Sequence, residues 1–345
     1  MSTSHIIARL EGQAGRISLN RPEALHALNT DMCLAMMEAL QAWADDPAVA
    51  LVLVDHAEGT RGFCAGGDIR MLAESGAADG RAAYDFFAAE YRMNALIASY
   101  PKPYVAVMDG VAMGGGVGIS VHGSHRIATE NTLFAMPETG IGLFPDVGGG
   151  WFLPRLGGAL GMWLALTGAR LKGEDVAAAG IATQYVESAA LDSVKQSLVS
   201  GDLALLEAME WDAYGSFTPN MDVLQRCFSK DSVEAILAAL DDETSEWAAK
   251  QAATLRTKSP QTLKVSFRQL KEGAAFEAFE ENMKNEYRIA RRVVHRHDFQ
   301  EGVRAVVIDK DNAPKWSPPT LEEVDEDVID AIFAPLGEDE LSFTP

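Results

Sequence analysis

The 345-residue chain is 48% apolar and 23% charged, which excludes collagen-like and low-complexity classes and leaves enough chain to bury a large core. Lys and Arg number 29 against 50 Asp and Glu, a formal charge of −21, so the overall field repels phosphate backbones and anionic bilayers. Neither nucleic acid nor a membrane is expected as a partner, and an anionic small ligand needs local cations and backbone N–H groups to overcome that field.

In chain order, residues 6–55 read as short strand, turn, short strand, helix and strand, a ββα unit. Thr30 and Asp31 are expected to cap the helix that follows them, and Asp45-Asp46-Pro47 to stop it. VALVLVD, residues 49–55, is an almost unbroken apolar run and predicts a strand buried on both faces. A second unit follows, with the Gly-rich loop GTRGFCAGGDIR, a helix within residues 79–100 and the strand PYVAVMDG. A third spans HRIATENTLFAMPE and GIGLFPDVGGGWFLPRLGG. After about residue 190 the pattern changes to helices joined by short polar loops. The expected organisation is therefore an α/β core over residues 1–195 and a mainly helical region over residues 196–345. Residues 320–345 carry nine acids and no Lys or Arg, with Val328, Ile329, Ile332 and Phe333 at helical spacing, which predicts an acidic helix packed by one face.

Cys33, Cys64 and Cys227 are an odd number, widely spaced, with no C-x-x-C and no nearby histidines to make a zinc site. A reducing compartment and no metal are expected. The first residues, MSTSHIIARLEG, lack an apolar stretch and carry one basic residue, Arg9, and no later run reaches about 18 uninterrupted apolar residues. A soluble, cytoplasmic protein is the expectation.

Two segments place glycine directly after a strand: FCAGGDI, residues 63–69, and AMGGGVG, residues 112–118. Without Cβ atoms the chain turns tightly and lets a ligand approach its amides, and two such donors converging on one oxygen make an oxyanion hole. Close packing of helix on strand is the competing explanation for either loop alone. GGGVGIS does not complete G-x-G-x-x-G, and no G-x-x-x-x-G-K-[ST] occurs, so dinucleotide and P-loop readings fail. Downstream, MPETGIGLFPDVGGG brings Glu138 and Asp146 into an otherwise apolar neighbourhood eight residues apart. Carboxylates in such surroundings rise in pKa toward the range of a general base, whereas at an exposed loop tip they would only cap turns. Asp55, Asp68 and Asp109 read as turn caps. Ser120 and Ser124 beside His122 and His125 lack a G-x-S-x-G elbow, which disfavours a serine hydrolase.

On LNRPEALHALN, GFCAGGDIR, MDGVAMGGGVGISVHG, FAMPETGIGLFPDVGGGWFLPRL and EGVRAVVIDKDNAPKW, the sequence resembles the crotonase (enoyl-CoA hydratase/isomerase) superfamily and, within it, the 3-hydroxyisobutyryl-CoA hydrolase family, nearly end to end. The resemblance implies an α/β, crotonase-like spiral of ββα units followed by a helical C-terminal region. It implies oxyanion-hole amides at Gly67 and Gly115, catalytic carboxylates at Glu138 and Asp146, and Glu90 as a substrate contact. Arg70 matches a position where relatives carry a basic residue near the CoA phosphates. Glu23 and His26 depart from the Lys and Asn usual in LNRPK, so the hold on the nucleotide end is not carried over. Gly118 stands where hydratases carry their first glutamate, which disfavours hydration. The implied activity is hydrolysis of a short β-hydroxyacyl-CoA thioester in valine breakdown. CoA is then part of the substrate, no separate cofactor is implied, and a homo-oligomer is allowed without a fixed number. The rivals are a CoA-dependent isomerase on the same carboxylates and a non-catalytic acyl-CoA binding protein.

Overall fold

A turn at Gly12 folds β1 (Ile6–Glu11) back on β2 (Ala14–Leu19), with Ile6 opposite Leu19 and Glu11 opposite Ala14. Gly12 has φ +57°, and a β-carbon there would lie 2.3 Å from the Val199 carbonyl, so the turn admits only glycine without rearrangement. The computed structural model describes residues 4–207 and 214–343. Residues 1–3, 208–213, 344 and 345, which fall in the N-terminal, helical and acidic segments read from the sequence, lie outside the described residues. The chain forms two compact units, each assembled from three stretches: Met1–Asp68, Arg92–Ala135 and Arg170–Ser216 in the first, Ile69–Tyr91, Met136–Ala169 and Phe217–Pro345 in the second.

The first unit holds a six-stranded sheet of order β1-β2-β3-β4-β6-β9, with β3 (Leu51–His56), β4 (Tyr104–Met108), β6 (His125–Ala128) and β9 (Gln184–Tyr185). Within this sheet, among the described residues, only the β1/β2 pair is antiparallel. Leu51, Val52, Leu53 and Val54 are all buried, as the apolar run predicted for a strand covered on both faces. β5 (Val111–Met113), β7 (Leu133–Ala135) and β8 (Leu171–Lys172) form a small second sheet.

Helix α1 (Thr30–Ala44) is capped one residue earlier than expected: the Asn29 side chain accepts the Met32 amide at 2.9 Å, and Thr30 is already helical. Its Trp43 lies over β2, where a β-carbon on Gly15 would come within 2.4 Å of the indole, so the missing side chain makes the room. Asp55 is likewise no turn cap. It sits buried in β3, accepting from Arg16 Nη2 and Ser18 Oγ at 2.7 Å each, with Lys195 Nζ at 2.9 Å. Burial acts to raise its pKa, but Lys195 and Arg16 outweigh this and leave the carboxyl below its ordinary range.

The second unit is helical. Helix α2 (Ile69–Gly76) and the part of α3 (Arg81–Ala98) through Tyr91 belong to it, with the Glu138–Ile141 3-10 turn, the single turn Gly149–Phe152 and a run of helices from Met221 onward. Ser232, Ser245 and Ser259 each accept the amide three residues on and open the helices Val233–Asp242, Glu246–Leu255 and Pro260–Gly273. Glycines set the closest approaches: a β-carbon on Gly273 would lie 2.0 Å from the Gly150 carbonyl oxygen. The acidic stretch forms the helix Glu326–Phe333, which buries Ile329, Ile332 and Phe333. Its Glu326 pairs with Lys264 at 2.7 Å, and Arg268 stacks over the Phe333 ring at 4.4 Å.

Candidate active site

In the first unit the two glycine loops are laced together by backbone bonds. Phe63 N and Cys64 N both donate to Val111 O, at 3.0 and 2.7 Å, and Met113 N returns a bond to Cys64 O at 3.0 Å. The first loop is tied on its other side to Leu28, whose amide donates to Gly66 O at 2.7 Å while its carbonyl accepts from Asp68 N at 3.0 Å. Those two bonds make the Leu28–Gly67 bridge and do not use the Gly67 N–H. Gly115 opens the short helix α4 (Gly115–Gly118), whose first bonds run from Val117 N and Gly118 N to Gly114 O, so its amide is among those that a helix start leaves over. A β-carbon on Gly66 would lie 3.8 Å from Gly115 N, which puts the two loops in direct contact. Gly66 at φ +118° and Gly114 at φ +46° adopt backbone forms that disfavour other residues.

The remaining candidates of this unit serve local structure. His26 is buried, its Nδ1 accepting Arg21 N at 3.0 Å and its Nε2 facing Thr60 Oγ1 at 3.0 Å. Burial, helped by His56, drops its pKa to about 4 and keeps the ring neutral. Glu23 faces the Arg21 Nε at 3.7 Å. Ser120, just past α4, gives its hydroxyl to Gly116 O at 2.8 Å rather than to a histidine.

In the second unit the buried carboxylic acids include Glu90, Glu138, Asp146 and Glu286. Glu138 follows Pro137 into the 3-10 turn, and its Oε2 has no hydrogen-bond partner. Burial raises its pKa well above the ordinary value, Asp146 raises it further, and Lys258 pulls it back. Asp146 Oδ2 accepts the Tyr91 hydroxyl at 2.9 Å, and burial, opposed by that bond, lifts its carboxyl to about 7. Glu90, beside Tyr91 on α3, has an unpartnered Oε1 and is raised by burial, then by Asp146 and Glu286. The carboxyls raise one another, so their titration belongs to the cluster rather than to single residues.

The turn after Asp146 is strained. Val147 has φ +52°, a left-handed conformation that costs a residue with a Cβ about 1–2 kcal/mol, and Gly148 follows at φ +88°. Arg70 is exposed on α2. Tyr91 and Glu286 were not anticipated from the sequence. The signal for Glu286 was its place in NMKNEYRIA, three residues from both Met283 and Ile289 on the apolar stripe of the helix Phe279–Val293. Among the described residues no group of three or more His, Cys, Asp or Glu is arranged to hold a metal ion, and no helix is long and apolar enough to cross a membrane.

Residues 14–333 match the enoyl-CoA hydratase/isomerase family model. The 3-hydroxyisobutyryl-CoA hydrolase, mitochondrial, of Xenopus laevis is 50% identical over 96% of this chain and 89% of its own length; the human protein of that name is 43% identical over 99% and 92%. Among solved structures, one described as a carnitinyl-CoA dehydratase from Mycobacterium thermoresistibile superposes with a TM-score of 0.94 at 38% identity, covering 99% of both chains. Another, described as an enoyl-CoA hydratase from Rhodobacter sphaeroides, gives 0.92 at 40% identity over 98% of this chain and 100% of its own. The crotonase-like α/β fold with its helical C-terminal region is thus the architecture of this chain.

The cytoplasmic location expected from the sequence is overturned by these relatives, which are named as mitochondrial and point to that compartment instead. Cys33, Cys64 and Cys227 are buried and form no disulfide, which is compatible with any reducing compartment and does not choose among them. The match over nearly the full length places this chain in the enoyl-CoA hydratase/isomerase family, where it belongs to the 3-hydroxyisobutyryl-CoA hydrolases.

Proposed function

We propose that the chain hydrolyses 3-hydroxyisobutyryl-CoA to 3-hydroxyisobutyrate and free CoA, as a thioesterase of valine breakdown. The observation that carries this reading is the identity of 43–50% over nearly the whole chain to relatives named for that activity. The thioester oxygen accepts from the amides of Gly67 and Gly115. Negative charge collects on that oxygen as the carbonyl is attacked, and each fixed donor contributes about 3 kcal/mol to the transition state.

Glu138 is the base. Its unpartnered Oε2 and raised pKa suit a carboxylate that takes a proton from water as the new C–O bond forms. The C–S bond then breaks, the electron pair leaves with sulfur, and the thiolate of CoA departs. The same oxygen suits direct attack to give an acyl-enzyme anhydride that water opens. Asp146 and Glu90 hold the substrate hydroxyl and orient the reacting groups, and Arg70 supplies positive charge for the CoA phosphates. CoA enters as part of the substrate, and the backbone amides stabilise the charge that develops on the thioester oxygen.

Purified protein with 3-hydroxyisobutyryl-CoA and a thiol-reactive dye tests the reading: steady release of free thiol, abolished in Glu138→Gln, is expected, and no release at all refutes it. The solved relatives described as a dehydratase and a hydratase favour one rival, proton transfer on an enoyl- or hydroxyacyl-CoA. That chemistry changes ultraviolet absorbance without freeing thiol.

A further inference from the structure

Different partners hold the Asp146 side chain and the backbone on either side of it. Tyr91, from α3, donates to Oδ2 at 2.9 Å. Glu286, from the helix Phe279–Val293, takes the amides of Gly148 and Gly150 at 2.8 and 2.9 Å, just beyond the left-handed Val147. On the other side of Asp146 in the chain, Gln269 donates to Pro145 O at 2.7 Å with the same amide nitrogen that reaches Glu286 Oε1 at 3.1 Å. Asn282 adds a fourth donor to Glu286 at 2.8 Å.

Every partner of Glu286 in this set is an N–H donor and none is an acceptor. That is the complement of a carboxylate, which accepts at both oxygens; a glutamine would turn its own NH2 group against one of the backbone amides. Tyr287, the next residue, lies edge-on to the Tyr91 ring at a centroid distance of 6.4 Å, so the two sources of the grip pack on one another. The unfavourable φ of Val147 needs such a hold to persist.

We propose that Glu286 and Tyr91 are positioning residues for hydrolysis, Glu286 fixing the Pro145–Gly150 turn through its amides and Tyr91 fixing the Asp146 carboxylate that the turn carries. The inference rests on the role given to Asp146 above. Neither residue touches substrate. Each acts through Asp146, so loss of either misplaces a reacting-group contact without removing a binding contact.

Steady-state thiol release from 3-hydroxyisobutyryl-CoA by the full chain, with urea unfolding in parallel, tests it on Tyr91→Phe, Glu286→Gln and Asp146→Asn. Tyr91→Phe keeps the ring and its packing, and is expected to lower kcat about 10- to 100-fold while KM moves less than about threefold. Glu286→Gln is expected to do the same where it folds, and where it does not, Tyr91→Phe decides alone. Wild-type kcat in Tyr91→Phe, or a rise in KM alone, beside an inactive Asp146→Asn, overturns the positioning role and leaves Asp146 standing. A fully active Asp146→Asn overturns the reading beneath it.

Discussion

A β-carbon on Gly116 would lie 2.2 Å from the carbonyl oxygen of Cys64. That oxygen also accepts from Met113 N, so the first glycine loop, the strand β5 and the helix α4 are locked through one peptide group. Gly116→Ala forces them apart. The expected result is a loss of thioesterase kcat of about 100-fold and a destabilisation of about 1–3 kcal/mol, read from thiol release and urea unfolding of the same preparation. A variant with wild-type kcat would show that the separation of Gly67 and Gly115 does not matter to the reaction.

The pH dependence of the reaction follows from the raised carboxyls. Glu138 and Asp146 are assigned work as carboxylates, and Asp146 gains its proton near pH 7. The quantity kcat/KM should therefore rise with pH through about 7 and flatten above it. In Tyr91→Phe the limb should move to higher pH, because the lost hydroxyl bond favoured the charged form. A rate that stays flat between about pH 5 and pH 8 would contradict the assignment.

Stability should run the opposite way. Burial lifts the Asp146 carboxyl from its ordinary 3.8 to about 7, so between those values the folded state holds more protons than the unfolded one. Its contribution is complete below the lower value and is lost as pH rises toward the upper, by an amount on the order of 4 kcal/mol. Asp146→Asn removes the charge while keeping an oxygen for Tyr91. Its urea midpoint should exceed that of the wild type at about pH 8 and match it near pH 4, at the expense of activity. Equal midpoints at both would mean that the carboxyl is not raised.

Asp55 makes the contrasting case, a buried acid held ionised by Arg16 and Lys195. Asp55→Asn leaves two sparsely solvated cations facing each other. A loss of about 3–5 kcal/mol in urea unfolding is expected, with kcat of the folded enzyme unchanged. A loss below about 1 kcal/mol would place the pair with ordinary surface ion pairs.

What was legible from the residues was what local chemistry marks. LVLV announced a strand buried on both faces, and FCAGGDI, AMGGGVG and PETGIGLFPDV marked the places where amides and acids could gather. Asn29 took the cap in place of Thr30 because an Asx side chain in extended backbone reaches the third amide on equally well, and nothing nearby in sequence separates the two. Asp55 was misread because its cations arise 39 and 140 residues away along the chain, in Arg16 and Lys195. Only the family resemblance marks Glu90 in the sequence. On α3 it follows Phe86, Phe87 and two alanines, and a lone glutamate there reads as the solvent face until the packing is known. Nothing local marks Tyr91 or Glu286, because their partners, Asp146 for Tyr91 and the Gly148 and Gly150 amides for Glu286, lie far away in sequence, and only the apolar stripe around Glu286 indicates that it points inward.

The Gly148 amide meets its acceptor on a residue 138 positions later. On the ribosome, the strained turn at Val147 therefore emerges on the order of ten seconds before the helix that holds it, at the usual elongation rate. The nascent chain must carry acids destined for burial, still hydrated, until the helix Phe279–Val293 has been made. A product cut short before Glu286 would retain both glycine loops and the Pro145–Gly150 segment yet lack the acceptor of the Gly148 and Gly150 amides.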